Sequence, residues 1–224
     1  MKTGLALVVS ASLCACGGGG GGSSAGLVED PEHDPGCKAV VVVQLFGDSV
    51  QVDAYQWGYL QHELDERFGF GHVLLELNAV SGTNSRQLRT GTDGFNPPWP
   101  KSVNGDIVMV NHGLNDQANQ VPMDEYAENM RTFAYLPRNV VIETPTPIAH
   151  FLNVPDAPWA EIARQAAVEA HKPVADAQAY VLSRPYWETE LWDGIHPTHE
   201  LQQAIAHNVT APALAPIIAK MLCR

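Results

Sequence analysis

The sequence predicts an α/β fold: a three-layer α/β/α sandwich around a mainly parallel central sheet of about five strands. Three observations point there. Short apolar runs alternate with segments of helical periodicity, the pattern of right-handed crossovers feeding a parallel sheet. The residues best suited to chemistry all follow apolar runs, at the carboxyl ends of the strands, where open α/β sheets bind ligands. Hydrophobic residues make up 45% of the 224, enough for one substantial core with no second domain needed.

The N-terminus reads as a processing signal. Lys2 precedes an apolar run from Gly4 to Leu13, too short to span a bilayer. The run ends in Leu13-Cys14-Ala15-Cys16, followed by glycines from Gly17 to Gly22. These residues resemble the lipobox of bacterial lipoproteins. The resemblance implies a signal peptide over residues 1–15, a lipidated Cys16, and a Gly/Ser-rich tether over residues 16–36. An exported protein is expected, anchored by lipid in the periplasm or at the outer membrane or cell surface. Composition changes at Cys37, where the folded domain, residues 37–224, is expected to begin. Cys37 and Cys223 flank that domain, and in an oxidising compartment they are expected to pair. Closing so long a loop is worth roughly 4–5 kcal/mol in a chain-entropy model.

The first strand is the run Ala39-Val40-Val41-Val42-Val43, leading into Leu45-Phe46-Gly47-Asp48-Ser49-Val50. Trp57, Leu60, Leu64 and Phe68 recur at helical spacing and predict one helix over Asp53 to Arg67, closed by Gly69 and Gly71. Val73 to Leu77 is the second strand, leading to Ser81-Gly82. Residues 90–105 carry Pro97, Pro98, Trp99 and Pro100 and are expected to form a surface loop. Asp106 to Asn111 is the third strand. A helix over Asp124 to Leu136 presents Tyr126, Met130 and Phe133 on one face and stops at Pro137. The fourth strand, Asn139 to Glu143, cannot extend past Thr144-Pro145-Thr146-Pro147. A helix over Trp159 to His171 and a short fifth strand, Pro173 to Asp176, follow. The last helical region is expected to break near Pro212, with Leu214, Ile217, Ile218 and Met221 forming its second stripe.

Formal charge is 13 − 25 = −12, which argues against nucleic acid as a partner and against an electrostatic grip on anionic lipid. Any membrane association is expected through the lipid anchor alone.

Four stretches carry candidate chemistry: Phe46-Gly47-Asp48-Ser49-Val50, Asn78-Ala79-Val80-Ser81-Gly82, Gly113-Leu114-Asn115-Asp116 and Asp193-Gly194-Ile195-His196-Pro197. A serine between a buried strand and a helix stands where nucleophiles stand in such sheets, and it needs an adjacent base to become reactive. His196 suits that task, because an imidazole can take the hydroxyl proton and return it to the leaving group. In order and context the blocks resemble those of the SGNH hydrolases, the GDSL esterase/lipase family. The resemblance implies Ser49, Asp193 and His196 as catalytic residues, with Asp193 orienting the imidazole. It also implies an oxyanion hole made by the Ser49 and Gly82 backbone N–H groups and the Asn115 side chain. Each block also has a plainer reading, as a helix cap or a turn. Asp48 and Asp116 are expected to brace their loops and His112 to make a local hydrogen bond. His196, His199 and Asp193 have no further ligands nearby in sequence, so no metal is expected. No cofactor is expected either.

The expected activity is hydrolysis of carboxylic esters through an acyl-enzyme on Ser49, acting on small-molecule or saccharide esters. Carbohydrate O-deacetylation is the alternative within the family. A tethered binding protein that kept the fold without turnover is the alternative from another class. Trp99, Trp187 and Trp192 fall in loops that can border the cleft, Trp192 being placed best beside Asp193.

Overall fold

A computed structural model describes residues 36–149 and 158–224. The expected signal segment, Cys16 and the tether up to residue 35 lie outside the described residues.

Five strands form the sheet: β1 (Val41–Gly47), β2 (Val73–Leu77), β3 (Ile107–Asn111), β4 (Asn139–Glu143) and β5 (Val174–Ala175). All pair in parallel, in the order β2-β1-β3-β4-β5. The helices are α1 (Ser49–Gln56), α2 (Tyr59–Phe68), α3 (Ser85–Thr90), α4 (Leu114–Ala118), α5 (Met123–Ala134), α6 (Trp159–Glu169), α7 (Ala177–Leu182), α8 (His199–Ile205) and α9 (Ala211–Met221).

The strand period of two sorts the central side chains into two layers. Val41, Val43, Leu45, Ile107, Met109 and Val141 pack with Leu60, Leu64 and Phe68 of α2 and Leu214 and Ile218 of α9. Phe46, Val108, Val110, Val140 and Ile142 point the other way, onto Leu88 of α3, Tyr126, Met130 and Phe133 of α5 and Ala163 of α6. Both faces are covered, so β3 is buried along its whole length and reads as an unbroken apolar run from Ile107 to Val110. Fully burying one such aliphatic side chain contributes about 1.5–3 kcal/mol.

The structure corrects several expected boundaries. The single helix over Asp53 to Arg67 is two helices, separated at Trp57 and Gly58, with Gly58 at φ 74°. Residues 90–105 are not simply a surface loop, because Trp99 is buried edge-on against Phe46 and Phe133. Its length and prolines signalled a loop; Trp99 anchors it to the core, while Phe95 stays exposed. The last helical region is not broken near Pro212. Residues Ala206–Thr210 form a widened π-helical turn between α8 and α9, with the Ala211 N–H reaching back to the Ala206 carbonyl. Pro212 lacks an N–H and its ring crowds the preceding turn, which the widening relieves. β5 spans only two residues of the expected four.

Cys37 and Cys223 are joined, with Cα atoms 5.6 Å apart across 186 residues of sequence. The Lys38 N–H donates to the Met221 carbonyl beside it. Replacing both cysteines by serine is expected to lower unfolding free energy by about 2–5 kcal/mol. Denaturant unfolding of oxidised wild type and variant measures this, and coincident midpoints would contradict it.

Candidate active site

The site is built at the carboxyl ends of β1, β2 and β3. Ser49 opens α1, directly after β1. Asp48 is its N-cap: fully buried, it accepts the Val50 N–H at 3.1 Å through Oδ1. Gly47 has a steric reason to be glycine. A Cβ there would lie 2.5 Å from the Asn111 carbonyl oxygen and 2.7 Å from Gln51 Cγ. β3 can therefore run close beside the end of β1, and the turn into α1 stays tight.

Ser49 Oγ lies 2.8 Å from His196 Nε2, and His196 Nδ1 lies 2.7 Å from Asp193 Oδ2. The other oxygen of Asp193 accepts the backbone N–H groups of Ile195 at 2.9 Å and His196 at 2.7 Å. One carboxylate thus fixes both the loop and the ring. Burial works against its charge, but the bonds from the His196 backbone and ring and the Ile195 N–H outweigh it and hold the carboxyl below the usual range.

Gly82 follows β2 in the left-handed region at φ 77°, a conformation costly for any other residue, and nothing stands within 4 Å of where its Cβ would be. Asn115 lies in α4, whose buried Asp116 accepts the Ser85 N–H at 3.1 Å through each oxygen and also the Ser85 hydroxyl. That contact ties α4 to α3, the short helix after the Gly82 loop that periodicity was too brief to reveal. Ser49, Gly82, Asn115 and His196 all line one cavity of about 490 Å³, with Leu114, Ala118, Ile148 and Ile195 as apolar walls.

Asp48 and Asp116 hold turns together, and His112, expected to make a local hydrogen bond, has no partner for its buried Nδ1 among the described residues. It is buried against Phe133 and absent from the cavity lining, and burial pushes its pKa down to about 4. Trp99 and Trp187 are buried in the core. Trp192 remains at the surface, 64% exposed, with its ring stacked on His196 at 5.5 Å. Trp57, assigned from its spacing to a core stripe, instead stacks on His199 at 3.8 Å. No periodicity could show this, because α1 ends before the stripe continues.

Sequence reasoning also missed a polar cluster beneath α1. Glu143, at the end of β4, accepts from Gln51 at 2.5 Å, Asn111 at 2.9 Å and Thr210 at 2.6 Å. Thr210 reaches it from the π turn, and Gln202 of α8 donates to the Val50 carbonyl. Burial raises Glu143 from 4.5 to about 7, Asp48 from 3.8 to about 7 and Asp116 from 3.8 to about 6. Each value is raised on folding, so the folded chain holds protons that the unfolded chain would release. Their stabilising contribution is complete below the ordinary carboxyl values and is lost as pH rises to about 7. Glu143→Gln, which keeps an acceptor oxygen for the Thr210 hydroxyl, is expected to shrink the fall in Tm between pH 5 and pH 8. Calorimetry at both pH values decides, and an unchanged difference would contradict the assignment.

Fold and site together define an ester hydrolase of the α/β/α class. The profile of the GDSL-like Lipase/Acylhydrolase family matches residues 45–204, and the chain belongs to that family. Among solved structures it is similar to a variant of an acetyl xylan esterase from Geobacillus stearothermophilus, at 20% identity and a TM-score of 0.63, covering 80% of this chain and 96% of that one. It is also similar to an alpha/beta hydrolase enzyme from the metagenome of Lake Arreo, Spain, at 22% identity and a TM-score of 0.61, covering 82% and 97%. Among curated proteins, none matches this sequence.

Proposed function

We propose that the chain hydrolyses carboxylic esters through an acyl-enzyme on Ser49. The observation that carries this reading is the unbroken relay from Ser49 to His196 to Asp193, opening on the same cavity as Gly82 and Asn115. His196 Nε2 takes the hydroxyl proton as Ser49 Oγ attacks the ester carbonyl. Asp193 accepts the bond from Nδ1–H, fixing the tautomer and stabilising the imidazolium. The carbonyl electrons move onto oxygen, where the Ser49 and Gly82 N–H groups and the Asn115 amide receive the charge. The imidazolium then gives its proton to the departing alkoxide. Water, deprotonated by His196, releases the acid and restores the serine.

The wall of Leu114, Ala118, Ile148 and Ile195 suits the acyl group, which needs no polar partner. The resemblance of residues 13–16 to a lipobox supports export and anchoring through Cys16; labelled palmitate entering the wild type and a Cys16→Ser variant alike would sink that part.

A serine-directed fluorophosphonate tests the enzyme reading. Wild type is expected to be labelled and Ser49→Ala to stay unlabelled. A folded wild type that resists the reagent and fails to cleave p-nitrophenyl acetate would instead be a binding protein on this fold.

A further inference from the structure

Beside the catalytic cavity lies a second concavity of different chemistry. Trp57, Trp192, Thr198, His199 and Glu200 line a groove of about 370 Å³. It shares no lining residue with the apolar cavity, yet the two meet where Trp192 stacks on His196. An ester has two ends, and the site has two compartments. If the apolar compartment takes the acyl group, the groove is where the alcohol leaves.

The groove's surfaces say what kind of alcohol. Each indole is backed by an imidazole: Trp57 on His199 with rings 28° from parallel, Trp192 on His196 at 22°. Backed in this way, both rings are held flat at the edge of the groove. Tyr59 adds its hydroxyl, 3.3 Å from His199 Nδ1. Glu200 and Thr198 line the groove. Flat aromatic faces beside a carboxylate and a hydroxyl suit a ligand that is apolar on its ring faces and dense in hydroxyls at its edges. A lipid alcohol would set hydrocarbon against the Glu200 carboxylate and the Thr198 hydroxyl. An anionic alcohol would meet Glu200 on a chain of formal charge −12.

We propose that this groove binds a neutral saccharide as the alcohol of the ester, which makes O-acylated sugars the substrate class. This rests on the ester-hydrolase reading above. Trp57 and Trp192 are the stacking platforms, and the Glu200 carboxylate and Thr198 hydroxyl the polar partners for sugar hydroxyls.

The experiment uses the full chain carrying Ser49→Ala, titrated with unacylated xylohexaose, cellohexaose and chitohexaose by calorimetry and tryptophan fluorescence. At least one is expected to bind, with Trp57→Ala weakening it by ~10-fold and Trp57→Phe by no more than ~3-fold. Trp192→Ala, at an exposed position, serves as a second variant should Trp57→Ala fail to fold, and is expected to weaken binding likewise. No binding of any of the three at millimolar concentration would overturn the proposal, as would binding indifferent to both tryptophans. Fluorescence quenching by decanol but by none of the sugars would overturn it in favour of a lipid alcohol. Fluorophosphonate labelling of wild type is run alongside. Labelling without sugar binding overturns the groove alone, while sugar binding without labelling overturns the hydrolase reading and supports the groove.

Discussion

Ser49→Ala is expected to lower kcat on p-nitrophenyl acetate by roughly 10⁴–10⁶-fold while leaving circular dichroism and Tm close to wild type. The size follows from what is lost. Without Oγ there is no covalent intermediate, and a water must attack from a position the site was not built to fix. The small effect on folding follows from the local structure. Ser49 opens α1, but the capping bond is made by Asp48, so the helix keeps its N-terminal acceptor. His196→Ala is expected to fall into the same range, and the double variant to be little worse than either single one. Residues that act as one relay lose their function together. Steady-state kinetics on the three variants measures this. A Ser49→Ala enzyme retaining more than about one hundredth of wild-type kcat would remove Ser49 as the nucleophile. Losses that multiply in the double variant would mean that Ser49 and His196 act separately.

What the sequence made legible divides along a physical line. The central strands were readable because they are buried on both faces, so Val41 to Val43 and Ile107 to Val110 appear as uninterrupted apolar runs. The four blocks were readable because their residue types answer to chemistry and close backbone approach: Gly47 cannot carry a Cβ beside Asn111, and Gly82 stands at φ 77°. Residues whose role depends on what lies opposite them were not readable. Trp57 and Trp99 are both aromatic residues near a turn, yet one stacks at the surface on His199 and the other is buried between Phe46 and Phe133. Glu143 ends an ordinary strand pattern, and nothing in its neighbours foretells donors arriving from Gln51, Asn111 and Thr210, which span residues 51 to 210. Short helices escaped for a simpler reason: α3 and α4 span six and five residues, too few to show a period.

Asn115→Ala is expected to lower kcat by about 10²–10³-fold, roughly 3–4 kcal/mol of transition-state stabilisation, with KM little changed. The oxyanion exists only during reaction, so a donor aimed at it adds little to ground-state binding and much to turnover. The substitution removes that donor together with the Asn115 side-chain hydrogen bond to Asp48, and leaves the rest of the helix in place. Alanine is the best helix former and suits the interior of α4. The helix itself is held by Asp116 on Ser85 and Leu114 in the cluster with Val50 and Ile148, none of which involves the Asn115 side chain. Asn115→Asp should be at least as damaging, although it preserves shape, because an ionised carboxylate facing the oxyanion repels the charge that the amide N–H attracts. If the Asn115 side chain only braced the turn, the isosteric aspartate would retain more activity than alanine. The order of kcat across wild type, Ala and Asp therefore separates an oxyanion donor from a structural asparagine, and a change confined to KM would contradict the donor role.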